Sequence, residues 1–249
     1  MSIVKISVVS YLNAQPFVYG IKNSGILKNY SLELDIPSVC AEKLVNNKVD
    51  IGLVPIAILP ELKQYEILTD HCIGAVKAVG SVVLFSEVEL NKIEKIFLDY
   101  QSRTSVTLVQ ILAKKFWKIN PQWIKAGKNY EQQINGSSAG VVIGDRTFDL
   151  LNKFKFQYDL AEEWKRFTSL PFVFACWVAN KKLPVDFKQN FSEAIRYGIN
   201  HRKDLIEELL KSNKYNTNIA DYLNNSISYE LDKAKKNGMA LFLKYLSEI

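Results

Sequence analysis

The sequence of 249 residues contains few of the residues that bind metals or that interrupt a folded chain. It has 2 histidines and 3 cysteines, and the spacing of Cys40, Cys72 and Cys176 matches no metal-binding pattern. A histidine-rich metal site is therefore excluded, and each cysteine is expected to be a small buried side chain with a free thiol. The 11 glycines and 7 prolines are too few for long disordered linkers.

Long apolar runs and dense runs of one charge are also missing. No stretch of about 18 apolar residues is long enough to span a membrane, and the first residues are typical of a strand rather than of a signal peptide. We therefore expect a cytoplasmic protein without a membrane partner. The net charge is +6, but the lysines are scattered in pairs, so nucleic acid is not an expected partner. The positive field modestly favours small anions, and the sequence makes no prediction of oligomeric state.

The first part of the chain has the pattern strand, helix, strand. Residues 3–9 predict a strand, and residues 31–37 alternate like a second strand. Ser38 can cap a helix that runs to about Asn47. Residues 50–55 predict a short buried strand that ends at a proline. This order favours a parallel α/β sheet.

The middle of the chain repeats the pattern. Residues 72–86 are a long β-prone stretch. Residues 96–99 predict a strand, and an amphipathic helix is expected to start near Ser102. Residues 140–145 and 171–178 predict two further buried strands.

Two such units predict an α/β protein of two lobes that are joined by two crossing strands. The predicted first lobe comprises residues 1–85 and the largely helical residues 176–249, and the second comprises residues 86–175. Both hinges are expected in extended segments near residues 86 and 175. Ligands of α/β sheets bind at the carboxyl ends of strands, so the loops that follow the strands would line a cleft between the lobes.

Polar residues in one of these loops predict a site for a small anion. Ser102, Arg103, Thr104 and Ser105 lie at the start of a predicted helix. Free N–H groups and a partial positive charge at such a position favour carboxylate or phosphate. The hydroxyls and the guanidinium add hydrogen-bond donors. The alternative is that Ser102 only caps the helix and that Arg103 faces water.

Two other residues that follow predicted strands also carry alternatives. The amide of Asn13 could hold a hydroxyl group or cap the helix that follows. Asp145 could place a carboxylate in the cleft or merely start a turn. A nucleophilic triad would need His71, which precedes a predicted strand, or His201, which lies beyond a helical pattern. The residues alone therefore predict a polar cleft for a small anion, and no nucleophile.

Five motifs stand in a characteristic order along the chain. They are Ser10-Tyr11-Leu12-Asn13 with Pro16-Phe17, Asp50-Ile51-Gly52-Leu53-Val54-Pro55, Ser102-Arg103-Thr104-Ser105, Ala139 to Asp145, and Glu163-Trp164 with Leu170-Pro171-Phe172-Val173-Phe174-Ala175. Together they resemble the motifs of chorismate dehydratases from the futalosine route to menaquinone. The resemblance covers roughly residues 3–200, and the helical tail is less distinctive.

The resemblance implies a periplasmic-binding-protein-like fold of the second type, with two lobes and a ligand cleft between them. It implies a hydro-lyase that converts chorismate, a small anion, into 3-[(1-carboxyvinyl)oxy]benzoate without a metal or an organic cofactor. A sister family in the same pathway shares the fold and acts on a later futalosine-derived intermediate. A binding protein for small anions, without catalysis, is the other alternative.

Expected roles follow from the resemblance and from the loop positions. The 102–105 segment is expected to hold one carboxylate of chorismate, and Ser38 and Ser81 the other. Asn13 is expected to contact the departing hydroxyl or to position the enolpyruvyl group. The substrate's own enolpyruvyl carboxylate is expected to take the proton, with Asp145 as the alternative base. The expected catalytic residues are Asn13 and Asp145, and the expected substrate-binding residues are Ser10, Tyr11, Ser38, Ser81, Ser102, Arg103, Thr104, Ser105 and Phe172.

One stretch departs from the pattern of the family. The family often carries Asp-Gly and then an arginine just before Ser-Val, whereas this chain has Val76-Lys77 and then Gly80 before Ser81. The missing arginine removes one expected contact to an anion. Lys77 is the candidate substitute, although a compact ammonium group does not reproduce the two-pronged contact of a guanidinium.

Overall fold

The computed structural model describes residues 3–249, which contain eleven strands and eight helices. Residues 1 and 2, with which the predicted first lobe begins, lie outside the described residues. The strands are β1 (Val4–Val9), β2 (Tyr30–Asp35), β3 (Ile51–Pro55), β4 (Glu66–Ala75), β5 (Val82–Ser86), β6 (Lys95–Leu98), β7 (Gln122–Lys125), β8 (Ser138–Ile143), β9 (Phe156–Asp159), β10 (Phe172–Ala179) and β11 (Ser228–Glu230). The helices are α1 (Gln15–Asn23), α2 (Pro37–Val45), α3 (Thr104–Leu112), α4 (Leu160–Thr168), α5 (Val185–Asn200), α6 (Arg202–Lys211), α7 (Ile219–Asp221) and α8 (Lys233–Leu246).

The first sheet has six strands in the order β11-β4-β10-β3-β1-β2. Strand β1 is parallel to β2 and β3, while β10 is antiparallel to both β3 and β4. Strands β3 and β10 are buried along their whole length. Such uninterrupted apolar strands are typical of a sheet that is covered on both faces.

The second sheet has five strands in the order β7-β6-β8-β5-β9. Strand β6 is parallel to β7 and β8, while β5 is antiparallel to β8 and β9. Two mixed sheets with helices packed on them form the two lobes, so the predicted α/β class is observed.

The chain passes between the sheets a few residues earlier than the sequence predicts. Strand β4 pairs in the first sheet and β5 in the second, so the first crossing is residues 76–81 rather than a hinge near residue 86. On the way back, β10 already pairs in the first sheet, and the second crossing precedes residue 172. The β-prone stretch 72–86 therefore belongs to two strands, β4 and β5. The sequence does not separate them, because both strands are apolar and only the irregular residues between them mark the break.

A buried carboxylate fixes the first crossing to the second lobe. Asp159 accepts hydrogen bonds from the N–H groups of Val79 at 2.8 Å and of Gly80 at 2.7 Å. Its other oxygen caps α4 by accepting from Ala161 and Glu162. Burial raises the pKa of Asp159 to about 6, although the four N–H donors lower it in part.

The predictions for the cysteines are confirmed, and the C-terminal part is helical with interruptions. Cys40, Cys72 and Cys176 are buried and free. After α7 the chain continues in a wide helical turn, Tyr222–Ser226, and then forms the short edge strand β11. Within residues 3–249, none of the helices has the length and apolar character needed to cross a membrane.

Candidate active site

A pocket lies between the two lobes, where the carboxyl ends of β1, β3 and β8 meet the start of α3. The space between its atoms is about 510 Å³, including the part that opens to solvent. Its lining residues are Val9, Tyr11, Asn13, Pro37, Pro55, Ile73, Val79, Ser81, Val82, Ser102, Thr104, Ser105, Ile143, Gly144, Phe174 and Ala175. None of these is a charged residue, so the wall offers hydroxyls, an amide, backbone groups and apolar surface.

The pocket brings together about half of the residues that the sequence predicts for the site. Those that line it are Tyr11, Asn13, Ser81, Ser102, Thr104 and Ser105. Those that do not line it are Ser10, Ser38, Arg103, Asp145 and Phe172. The two groups differ in what their side chains contact.

The start of α3 contributes three hydroxyl groups to the pocket. The Ser102 hydroxyl accepts a hydrogen bond from the N–H of Ser105 at 3.0 Å, so Ser102 both lines the pocket and caps the helix. Thr104 donates to the carbonyl of Phe174 at 3.1 Å and accepts from the N–H of Ala57 at 3.3 Å, which ties α3 to the first lobe. The Ser105 hydroxyl forms no hydrogen bond within residues 3–249, and it is therefore available to a ligand.

Arg103 turns away from the pocket. Its guanidinium forms an ion pair with Glu61 at 2.9 Å, and the arginine side chain is 42% exposed. The sequence leaves open whether Arg103 binds an anion or faces water, and its position in the structure fits the second alternative. The ion pair connects the second lobe to the turn that follows β3.

Asp145 joins the two lobes from behind the pocket wall. Both of its carboxylate oxygens lie within reach of the Leu12 N–H, at 3.0 and 3.2 Å. Burial raises the pKa of Asp145 to about 6, although the Leu12 N–H lowers it in part. The carboxylate therefore holds the turn after β1 in place.

The neighbouring Gly144 is required by two independent constraints. Its φ of 70° lies in the left-handed region that favours glycine. A Cβ atom at this position would also come within 2.6 Å of the Tyr11 ring. Gly144 therefore lets the ring of Tyr11 from the first lobe approach the backbone of the second lobe closely.

Tyr11 is linked to a charged network beneath the pocket. Its hydroxyl donates to the side-chain oxygen of Gln101, whose amide donates to the Tyr100 hydroxyl at 2.7 Å. Burial raises the pKa of Tyr11, which keeps this hydroxyl protonated. Asp99 accepts from the Gln101 N–H at 2.9 Å and pairs with Arg146.

Asp99 and Arg146 were not recognised as site residues from the sequence. Asp99 is 1% exposed, and burial raises its pKa although Arg146 lowers it. Arg146 also pairs with Glu131 and lies 5.5 Å from the centre of the Tyr100 ring. Both residues directly follow or flank predicted strand ends, which is the signal that could have identified them.

The Asn13 side chain does not cap a helix, which is one of the two roles predicted for it; the other is to hold a hydroxyl group. No side-chain capping bond is present at the start of α1 or of the turn before it. The side-chain oxygen of Asn13 is buried and has no hydrogen-bond partner within residues 3–249. An unpaired buried acceptor in a pocket is a group that a ligand can satisfy.

Ser81 lies on the first crossing and is 1% exposed. Its hydroxyl accepts a hydrogen bond from the hydroxyl of Tyr222 at 2.7 Å. Tyr222 comes from the C-terminal tail, for which no contribution to the site is predicted from the sequence.

Comparison with known proteins identifies the family. A family model described as menaquinone biosynthesis matches residues 4–248. The chain belongs to this menaquinone biosynthesis family. It is 24% identical over 263 residues to a chorismate dehydratase of Thermus thermophilus, covering 95% of this chain and 92% of that protein.

Solved structures show the same fold in distant proteins. A crystal structure of a protein from Archaeoglobus fulgidus has a TM-score of 0.73 at 13% identity and covers 98% of this chain and 96% of its own. A Candida albicans protein with the generic periplasmic binding protein fold has a TM-score of 0.66 at 15% identity, covering 100% and 91% of the two chains. The predicted periplasmic-binding-protein-like fold is thereby confirmed for this member of the menaquinone biosynthesis family.

Three of the predicted site residues in this family member also lie outside the pocket lining. Phe172 is fully buried in the core, with its ring 5.4 Å from those of Trp164 and Phe242, and Phe174 further along the same face of β10 reaches the pocket. The N–H of Ser38 donates to the carbonyl of Gln101 at 3.1 Å, and the N–H of Ser10 bonds within the first lobe.

Lys77 does not replace the arginine that is missing from the family pattern. It is exposed on the first crossing and does not line the pocket. An anion in this pocket would therefore be held by neutral donors and by the start of α3.

Proposed function

We propose that this protein is a chorismate dehydratase, a hydro-lyase that removes water from chorismate to give 3-[(1-carboxyvinyl)oxy]benzoate. The observation that carries the proposal is the pocket between the lobes, which combines a helix start, free polar groups and apolar walls. Chorismate has the matching parts, since it is a ring with two carboxylates and one hydroxyl. The similarity to the Thermus thermophilus chorismate dehydratase along 95% of this chain supports the same conclusion.

One carboxylate of the substrate binds at the start of α3. The dipole of this nine-residue helix favours a negative charge there. The hydroxyls of Ser102 and Ser105 face the same pocket and donate to the anion. On the other side, Ser81 offers a hydroxyl to the second carboxylate, while Ile143 and Phe174 pack against the ring.

The elimination breaks two bonds and forms an aromatic ring. The C3–H bond gives up its proton, its electron pair forms the new ring double bond, and the C4–O bond breaks. The departing hydroxide and a proton form water. Because aromaticity favours the product strongly, the enzyme has to orient the substrate more than it has to supply a strong base.

The substrate's own enolpyruvyl carboxylate is the proton acceptor in this proposal. The residues that line the pocket include no histidine, aspartate or glutamate. Asp145, the alternative base, is already hydrogen-bonded to the Leu12 N–H behind the wall. This arrangement supports substrate assistance, with Asn13 contacting the departing hydroxyl.

The contacts between the lobes keep the bound substrate away from water. Tyr11 reaches Gln101, Leu12 reaches Asp145, and Thr104 reaches Phe174 across the interface. Enclosure of this kind strengthens the polar contacts inside and limits the competing rearrangements of chorismate.

Product analysis after incubation with chorismate tests the proposal. The wild-type protein should produce an aromatic absorbance and a product with the mass of chorismate less one water. Asn13→Ala should lose at least about 100-fold in turnover, whereas Asn91→Ala, a change at an exposed asparagine far from the pocket lining, should not. Chorismate that binds but is returned unchanged would instead indicate a non-catalytic binding protein, and binding of only a nucleoside-like compound would indicate the sister enzyme.

A further inference from the structure

The C-terminal tail places two buried tyrosines behind the polar groups of the pocket. Tyr222 begins the wide turn after α7, and Tyr229 lies in β11. They are 4% and 6% exposed. Neither lines the pocket, but each donates a hydrogen bond to a residue that does.

Tyr222 determines which way the Ser81 hydroxyl can donate. Burial raises the pKa of Tyr222, so its phenol keeps the hydrogen that it can donate. Its hydroxyl donates to the Ser81 oxygen at 2.7 Å. The hydrogen of Ser81 must then point elsewhere, and the pocket is the space that Ser81 lines. Ser81 is thereby kept as a donor towards an anion.

Tyr229 holds the backbone of Asn13. Its hydroxyl donates to the Asn13 carbonyl at 2.9 Å, and burial raises the pKa of Tyr229 well above its usual value. The Asn13 side chain also lies close to Tyr222. It lowers the pKa of the Tyr222 phenol, but burial raises this pKa by more. The two tyrosines therefore act on adjacent polar groups of one site.

Packing fixes both rings. The Tyr222 ring meets Phe148 of the second lobe edge to face, with centres 5.0 Å apart. The Tyr229 ring meets Phe17 of the first lobe in the same way at 5.4 Å, and the Arg202 guanidinium lies 5.6 Å from its centre. Rings that are held in this way give their hydroxyls a defined position at little entropic cost.

We propose that Tyr222 and Tyr229 are positioning residues of the active site, the first directing the Ser81 hydroxyl into the pocket and the second fixing Asn13 against the departing group. The kinetic part of this inference depends on the proposed dehydratase function. It assigns a role to the helical tail, which the sequence motifs do not cover.

A double-mutant cycle between Tyr222→Phe and Ser81→Ala tests the first contact. Tyr222→Phe should raise the KM for chorismate about tenfold while kcat changes less, since a binding donor is lost. In the Ser81→Ala background the same change should have no further effect. Tyr197→Phe is the matched control, because the Tyr197 ring stacks on His201 and its hydroxyl has no partner within residues 3–249.

The second contact is tested by Tyr229→Phe, which should lower kcat about tenfold with little change in KM. Combined with Asn13→Ala, it should have no additional effect. Losses that simply add in either cycle, or a lower melting temperature with unchanged kinetics, would overturn the inference.

Inactivity of the wild-type protein would be a different result. If the wild type leaves chorismate unchanged, the proposed function fails. Crystal structures of the wild type and of Tyr222→Phe then test whether Tyr222 orients the Ser81 side chain. A Ser81 side chain that rotates in the variant supports the inference, and an unchanged Ser81 contradicts it.

Discussion

At the scale of single residues, the wall of the pocket offers hydroxyls, an amide and backbone groups but no cation. Arg146 and Asp99 pair with each other beneath Tyr11. Arg103 pairs with Glu61 at the surface, where an ion pair between exposed groups contributes little. Affinity is therefore expected from hydroxyls and from the start of α3.

This view predicts opposite results for two neighbouring substitutions. Arg103→Ala should change the KM for chorismate by less than about threefold, because the guanidinium is solvated and does not line the pocket. Ser105→Ala should raise KM by about tenfold, because it removes a donor to a charged group. Steady-state kinetics of both variants provide the measurement. A larger effect at Arg103 than at Ser105 would mean that the arginine swings into the pocket.

The sequence predicts some residues of the site better than others. Tyr11, Asn13 and Ser102 follow strands directly, so their place in the cleft could be expected from the topology. Tyr222 and Tyr229 could not, because they are more than 130 residues away along the chain from the groups they bind, Ser81 and Asn13. No local pattern encodes such contacts.

At the scale of elements, the periodicity of apolar residues predicts the buried parts well. Strands β1, β3, β8 and β10 and helix α2 lie within a few residues of the predicted ranges. Edge strands such as β7 and β9 were missed, because they are short and only partly buried. The sequence also does not show that β4 and β5 belong to different sheets. Both strands are apolar, and an apolar pattern predicts that a strand is buried but not which sheet it joins.

The packing of α1 against α5 leads to a prediction about stability. The two helices approach at Gly20 and Gly198, and a Cβ atom on Gly198 would fall on the Pro16 carbonyl oxygen. Gly198→Ala should therefore lower the free energy of unfolding by about 1–3 kcal/mol, despite the better helix propensity of alanine. Urea unfolding provides the measurement. Gly127→Ala is the control, because nothing lies within 4 Å of its added Cβ, and equal effects of the two changes would contradict the close approach.

At the scale of the whole molecule, the site exists only where the two lobes meet. Each lobe contributes part of the wall, and Asp145 of the second lobe holds Leu12 of the first. The C-terminal tail adds Tyr222, which contacts residues of the crossing and of the second lobe. The two-lobed architecture was predictable from the repeated strand and helix pattern, whereas the exact crossings were not.

The burial of the Asp145 carboxyl group between the lobes predicts a pH dependence of stability. Burial raises the pKa of Asp145 to about 6 in the folded protein, compared with about 3.9 in an unfolded chain. The stabilisation is complete below about pH 4 and is lost as the pH rises through 6, because the folded protein then bears the cost of the buried charge.

Asp145→Asn removes this titration and keeps an oxygen for the Leu12 N–H. Between pH 4 and 7 the wild type should lose up to about 3 kcal/mol of unfolding free energy relative to the variant. Asp159 titrates in both proteins and cancels in the difference. The variant should also retain most of its turnover if the substrate supplies the base. Parallel pH profiles, or loss of turnover without loss of binding, would contradict the assigned role.

Incubation with chorismate that carries deuterium at C3 tests the central claim most directly. The account predicts that the protein releases the C3 deuteron and the C4 hydroxyl together, so that 3-[(1-carboxyvinyl)oxy]benzoate appears without the label. Recovery of labelled chorismate, or an aromatic product that retains the deuterium, would contradict it.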